Sequence, residues 1–174
     1  MSIKLLKKLT VVTASAALSL AATSLAQSAQ AAGFGDSYNP STWTLTNTNA
    51  NGSVKTTSVP GSFVLTGGNN GSGQQGSTTY TTTILNPGTV SFNWDYSTAD
   101  LDGGYYDPAG WSLNGVFTQL SNNTTKSSSG SVTTLVTAGD IFGFFVKTVD
   151  NAFGAANLKV SSFSTPGSCS ATYN

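Results

Sequence analysis

From residue 42 onward, apolar residues alternate with polar ones, and the three-and-four spacing of an amphipathic helix is absent. The segment TVSFNWDYS, 89–97, is the clearest case. Val90, Phe92, Trp94 and Tyr96 fall on one face, and Ser91, Asn93, Asp95 and Ser97 on the other. The first set is expected to pack a core and the second to face outward. Similar patterns predict strands at 42–46, 53–57, 62–66, 78–85, 110–113, 116–120, 129–137, 141–149 and 158–163. In 141–149, Phe142, Phe144 and Val146 share one face, while Ile141, Gly143, Phe145 and Lys147 share the other. Both faces are largely apolar, as in a central strand.

Turn residues separate these segments: Asn51-Gly52, Pro60-Gly61, Asn86-Pro87-Gly88 and Ala138-Gly139-Asp140. Asn114-Gly115 is the sharpest local signal, because a type I′ hairpin turn needs positive φ at both central residues. Many short strands with regular turns predict an all-β, antiparallel β-sandwich of the jelly-roll type, with about eight to ten strands. The polar run 67–77, GGNNGSGQQGS, carries no aromatic residue and reads as a flexible spacer, with a mobile binding loop as the alternative.

The first thirty-one residues read differently. Lys4, Lys7 and Lys8 precede an apolar and small-residue run, and Ala29-Gln30-Ala31 fits a small-x-small cleavage site. This is the layout of a secretory leader, so 1–31 is set apart from the sandwich domain at 32–165 and a short tail at 166–174. The expected location is secreted or extracytoplasmic, with no membrane span after cleavage. Three of the seven lysines leave with the leader, against seven aspartates that remain. With no basic patch, nucleic acid is excluded as a partner. Cys169 is the only cysteine, so no disulfide can form within the chain.

The acidic residues are all Asp; Glu, Arg and His do not occur. Four of the seven lie in WDYSTADLDGGYYDPAGW: Asp95, Asp100, Asp102 and Asp107. Crowded carboxylates repel one another unless a cation or donors neutralise them, and short carboxylates among Asn and Gly suit calcium. Asp95 closes one predicted strand, Asp107 precedes another and Asp150 closes a third. Loops at one end of a sandwich could unite these three around calcium, with Asn151 or a backbone carbonyl completing the shell. Asp102 is a rival ligand, and Asp100 is expected to be solvated. The spacing is not that of an EF-hand, since the twelfth position counted from Asp100 is Trp111. The alternative is that these aspartates cap turns.

Tyr105, Tyr106 and Trp111 stand beside the aspartates. Aromatic rings next to polar anchors could bind an extracellular polysaccharide; the alternative places Trp111 in the core. Catalysis is not expected. The chain lacks histidine for acid–base or zinc chemistry, a P-loop, and a G-x-S-x-G elbow. The expected function is a secreted, non-catalytic surface, matrix or adhesion component stabilised by calcium, with polysaccharide or a surface protein as partner. The alternative is a carbohydrate-binding module.

From about residue 34 to 166 the chain resembles secreted bacterial β-rich domains that often occur in proteins with PEP-CTERM-type sorting tails. The resemblance lies in WTLTNTNANGSV, LTGGNNGSG, GTVSFNWDYSTAD, YDPAGWSLNGVFTQL, AGDIFGFFVKTVDNAFGAA and SSFSTP. It implies an extracytoplasmic sandwich. After Pro166 only GSCSATYN follows, without the apolar helix and basic end of the tailed members, so release or noncovalent retention is expected. A weaker resemblance, to CUB-type calcium sandwiches, rests on Asp107 before Trp111 and on Asp150 before Asn151 and Gly154; the CUB cysteines are absent.

Overall fold

The computed structural model describes residues 30–167. Among these residues, eleven strands form two antiparallel sheets. The strands are β1 Gln30–Ala32, β2 Thr44–Thr48, β3 Ser53–Lys55, β4 Ser62–Thr66, β5 Gly76–Thr83, β6 Gly88–Thr98, β7 Ala109–Leu113, β8 Val116–Gln119, β9 Ser127–Val136, β10 Ile141–Thr148 and β11 Ala156–Pro166. One sheet has the order β3-β4-β11-β6-β9, with β1 also paired to β11; the other has the order β2-β5-β10-β7-β8. The inner orders β4-β11-β6-β9 and β5-β10-β7-β8 are those of an eight-stranded jelly roll. β2 and β3 add one edge strand to each sheet. Among the described residues no helix is long and apolar enough to cross a membrane.

The alternation of β6 behaves as the sequence predicts. Val90, Phe92, Trp94 and Tyr96 are buried, while Asn93, Asp95 and Ser97 face outward. β10 is central, between β5 and β7. Its Phe142 and Phe144 contact Phe92 across the sandwich with edge-to-face geometry, at 6.1 and 5.0 Å between centroids. Trp111 lies on the same inner side, stacked on Phe142 at 5.8 Å. It is half-buried and packs against the core, on the inner side of its sheet. A second aromatic group, Phe34, Trp43, Phe63, Tyr80 and Phe163, fills the other half of the interior.

β11 carries a bulge between Ser161 and Ser164, with Ser162 at φ 50°. Two outward residues in succession re-aim the strand, so Phe163 and Thr165 point inward just as Leu158 and Val160 do. The hairpin β7–β8 turns on Asn114 and Gly115, at φ 52° and 80°, and pairs Leu113 with Val116.

Two boundaries differ from expectation. β1 begins at Gln30, two residues inside the segment assigned to the leader, and β11 runs to Pro166. The sandwich thus occupies 30–166; the rest of the leader, and Cys169 with the tail beyond 167, lie outside the described residues. The run 67–77 is also not a spacer. Gly71 N–H donates to the Asn151 carbonyl at 2.7 Å, Asn69 N–H donates to Asn51 Oδ1 at 2.8 Å, and Gly76 already opens β5.

Candidate functional site

The antiparallel register gathers five loops at one end of the sandwich: 49–52, 67–75, 99–108, 120–126 and 149–155. β6 and β11 meet there through Thr98 and Ala156, β4 and β11 through Thr66 and Asn157, and β6 and β9 through Ser97 and Ser127. The 99–108 and 149–155 loops touch. Gly154 sits so close to Ala99 that a Cβ would come 2.8 Å from the Ala99 methyl. Val149 N–H donates to the Tyr106 carbonyl at 2.7 Å, and Lys147 N–H to the Pro108 carbonyl at 2.8 Å.

Asp107 lies at the bottom of this end, 1% exposed. Its Oδ2 accepts from the Thr98 hydroxyl at 2.7 Å, and its backbone carbonyl accepts from the Tyr96 hydroxyl at 2.9 Å. Burial pushes its carboxyl up to about 6. The negative charges of Asp100 and Asp150 push the same way, while the Thr98 and Thr148 hydroxyls work against them. Burial, with the Asp107 charge beside it, also holds the Tyr96 phenol well above its ordinary range.

The acidic neighbours whose charge acts on Asp107 are Asp100 and Asp150, and the expected convergence of Asp95, Asp107 and Asp150 is not formed. Asp95 points out from β6 in register with Lys159 on one side and Ser129 on the other, and lines a shallow recess with Ser127, Ser128 and Ser129. It is on the opposite face of the sheet from Thr98 and Asp107. Asp100, expected to be solvated, is buried. Its N–H donates to Thr98 Oγ1 at 3.0 Å, and its Oδ1 accepts from Asp102 N–H at 2.7 Å. The signal was in the pattern: Trp94, Tyr96, Thr98 and Asp100 continue one period-two face. Asp102 is exposed. Asp150 Oδ1 accepts from Ala152 N–H at 3.0 Å. Asp100 and Asp150 thus also shape their own turns. Among the described residues no group of three or more His, Cys, Asp and Glu side chains is placed to hold a metal ion.

Asn151 organises the neighbouring loops. It is fully buried at φ 55°. Its Nδ2 donates to the carbonyls of Asn49 and Gln74 at 2.7 and 2.9 Å, and its N–H donates to the Thr148 hydroxyl at 2.8 Å. Its Oδ1 lies against the Gly68 backbone and has no hydrogen-bond partner. Sequence reasoning offered Asn151 as a calcium ligand; the structure makes it the tie between three loops.

Above this buried polar layer the loops display apolar side chains. Leu101 and Phe153 are each 81% exposed, and Tyr105 is 60% exposed. Tyr105 ends a 3-10 turn, Gly103–Tyr105, and Tyr106 meets it edge-to-face at 5.2 Å. Gly103 and Gly104 let that turn lie flat on the 122–125 loop, since a Cβ on Gly104 would collide with the Asn122 carbonyl. Phe153 has φ 62°, a left-handed backbone that bulky residues rarely adopt. The sequence pointed to Tyr105 and Tyr106 but gave no reason to single out Phe153 or Leu101.

Comparison with protein-family models and with curated proteins finds no match. Several solved structures are similar. A family 35 carbohydrate-binding module from Clostridium thermocellum aligns over 67% of this chain and 90% of that one, at 14% identity and a TM-score of 0.37. A carbohydrate-binding module of Cellvibrio mixtus lichenase 5A, in complex with cellotriose, aligns over 67% and 88% at 12% identity and a TM-score of 0.36. The enzymatically active domain of bacteriophage CBA120 tailspike protein 4 aligns over 72% of this chain at 14% identity and a TM-score of 0.39, and this chain spans 19% of its length. Similarity at this level carries no function from those proteins to this one.

Proposed function

We propose that the protein is an exported, non-catalytic carbohydrate-binding sandwich of the cell surface or matrix, with the 99–108 and 149–155 loops as its binding end. The observation that carries this reading is the pair of exposed rings, Tyr105 and Phe153, on two touching loops fixed from beneath. Pyranose rings offer C–H faces to aromatic planes and hydroxyls to carboxylates, and Asp102 and Asp150 supply carboxylates on the same loops. Loops already ordered around Asn151 and Asp107 lose little entropy on binding. A surface of Ser, Thr and Asn with few charges suits a neutral polysaccharide.

Affinity electrophoresis of the exported protein against a panel of neutral and acidic extracellular polysaccharides tests the proposal. At least one should retard it, and Tyr105→Ala and Phe153→Ala should each weaken retardation about tenfold without lowering the thermal midpoint. Absence of retardation across the panel, or retardation unchanged in both variants, would overturn it.

A further inference from the structure

We infer that export processing breaks the chain upstream of Gln30, so that Gln30–Ala32 stays in the folded domain as the strand that completes β11. The inference rests on the leader read in the sequence and is independent of sugar or calcium binding. β4 accompanies β11 only as far as the pair Ser62 and Ser161. Beyond the bulge, β6 flanks β11 on one side through Ser91 and Ser164. The other flank belongs to β1, which pairs Gln30 with Pro166, Ala31 with Thr165 and Ala32 with Ser164.

The chain then stays attached to the domain without a break. Gly33 N–H donates to the Phe163 carbonyl at 2.6 Å, and Phe34 N–H to the Pro60 carbonyl at 2.9 Å. The Phe34 ring stacks on Phe163 at 4.5 Å with an interplanar angle of 4°. Thr165, opposite Ala31, is fully buried.

A cut after Ala31 would undo this arrangement. It would remove two of the three β1 pairs and leave Thr165 and Pro166 on an open sheet edge. It would also place a new α-ammonium, cationic below its pKa of about 8, on Ala32 within the sheet and two residues from buried Phe34. A cut further upstream keeps all three pairs. Two bonds there follow small residues at the positions a leader peptidase reads: Ala26–Gln27, after Ser24-Leu25-Ala26, and Ser28–Ala29, after Ala26-Gln27-Ser28. The reaction is hydrolysis of one peptide bond. Water supplies the hydroxyl of the leader's new carboxyl end, and its proton goes to the released amine of the domain.

The test is to export the full chain from a bacterial host, then measure its intact mass and sequence its N-terminus. A start at Gln27 or Ala29 is expected. A start beyond Gln30 overturns the inference, and an uncut chain overturns the leader reading along with it. Substitution separates the candidate bonds, because a large side chain just before the cut blocks a leader peptidase. In the full chain, Ala31→Leu should leave the N-terminus and the processed yield unchanged, whereas Ala26→Leu combined with Ser28→Leu should reduce processing at least tenfold. Loss of processing in Ala31→Leu, with the double variant cut normally, would place the bond after Ala31 and refute the inference.

Discussion

The Thr98 hydroxyl donates to Asp107 Oδ2 at 2.7 Å while accepting from the Asp100 N–H at 3.0 Å, so one side chain holds both buried aspartates. This relay fixes the start of the 99–108 loop to the end of β6. It also keeps a carboxyl inside the protein where burial raises its pKa, and that has a consequence for stability.

The folded Asp107 value of about 6 lies above the ordinary 3.8. The folded state therefore holds this proton more tightly than the unfolded chain does. Its contribution to stability is full below pH 3.8, falls as pH rises to about 6, and is level above that. Two pH units at about 1.4 kcal/mol each give a loss on the order of 3 kcal/mol. Asp140 acts in the opposite sense, because Asn114 and Thr137 hold its carboxyl below the ordinary range, but it is exposed and solvent screens it. Urea unfolding at pH 4, 5, 6 and 7 should show stability falling across this window in the native protein. In Asp107→Asn the fall should be absent.

Several features of this site were legible in the sequence. The β6 alternation separates Asp95 from Tyr96 and Thr98, and extending it two residues places Asp100 inside. Asn114-Gly115 marks its hairpin because both residues accept positive φ. β1 was hidden, since Gln30-Ala31-Ala32 has no apolar alternation and gains its partner only when β11 bends at Ser162. The order of the 67–75 loop was hidden too. Its anchor, Asn151, lies about eighty residues away, and no local spacing announces a side chain that bridges Asn49 and Gln74. Composition drew attention to the aspartates as a group, but period two and loop geometry decide which of them, Asp100 and Asp107, are buried.

Phe153 tests whether backbone strain serves display. A left-handed conformation costs a non-glycine residue about 1–2 kcal/mol, and glycine gives back about 0.5–1 kcal/mol through unfolded-state entropy. Phe153→Gly should therefore exceed Phe153→Ala in stability by up to about 1.5 kcal/mol, measured by urea unfolding. Both should lose polysaccharide retardation equally. A glycine variant that gains stability yet keeps full retardation would remove Phe153 from the binding surface.

At the far end of the sandwich, Asn114 links the hairpin to the turn before β10. Its Nδ2 donates to Asp140 Oδ1 at 2.9 Å, and its Oδ1 accepts from the Ile141 N–H at 2.9 Å. Asn114→Ala loses both bonds and places a Cβ-bearing residue without a local hydrogen bond at φ 52°; a cost of about 2 kcal/mol is expected. Asn114→Gly loses the bonds alone and should cost about 1 kcal/mol. Thermal denaturation of the two variants separates the conformational part from the hydrogen-bonding part. Neither should alter polysaccharide retardation, because the site is at the opposite end.

Asn151 provides the most exacting test of the loop architecture. Its Nδ2 faces two carbonyl oxygens, Asn49 O and Gln74 O, and nothing but a donor suits that place. Asn151→Asp keeps the shape and the tolerance of positive φ while replacing the donor by an oxygen. The ionised form would set a buried charge against two acceptor dipoles, so its carboxyl should stay protonated well above the ordinary range. Asn151→Ala leaves the same two carbonyls without partners and opens room that water can fill. At pH 7 the aspartate variant should be the less stable of the two, with a loss of about 3–5 kcal/mol against about 2–3 kcal/mol for alanine. Lowering the pH to 4 should recover much of the aspartate loss and leave the alanine variant unchanged relative to the native protein. Hydrogen exchange at Gly71, whose N–H is bonded to the Asn151 carbonyl, should rise in both variants if Asn151 holds the 67–75 loop in place. If exchange at Gly71 stayed slow in both, the loop would owe its order to other contacts, such as the bond from Asn69 N–H to Asn51 Oδ1.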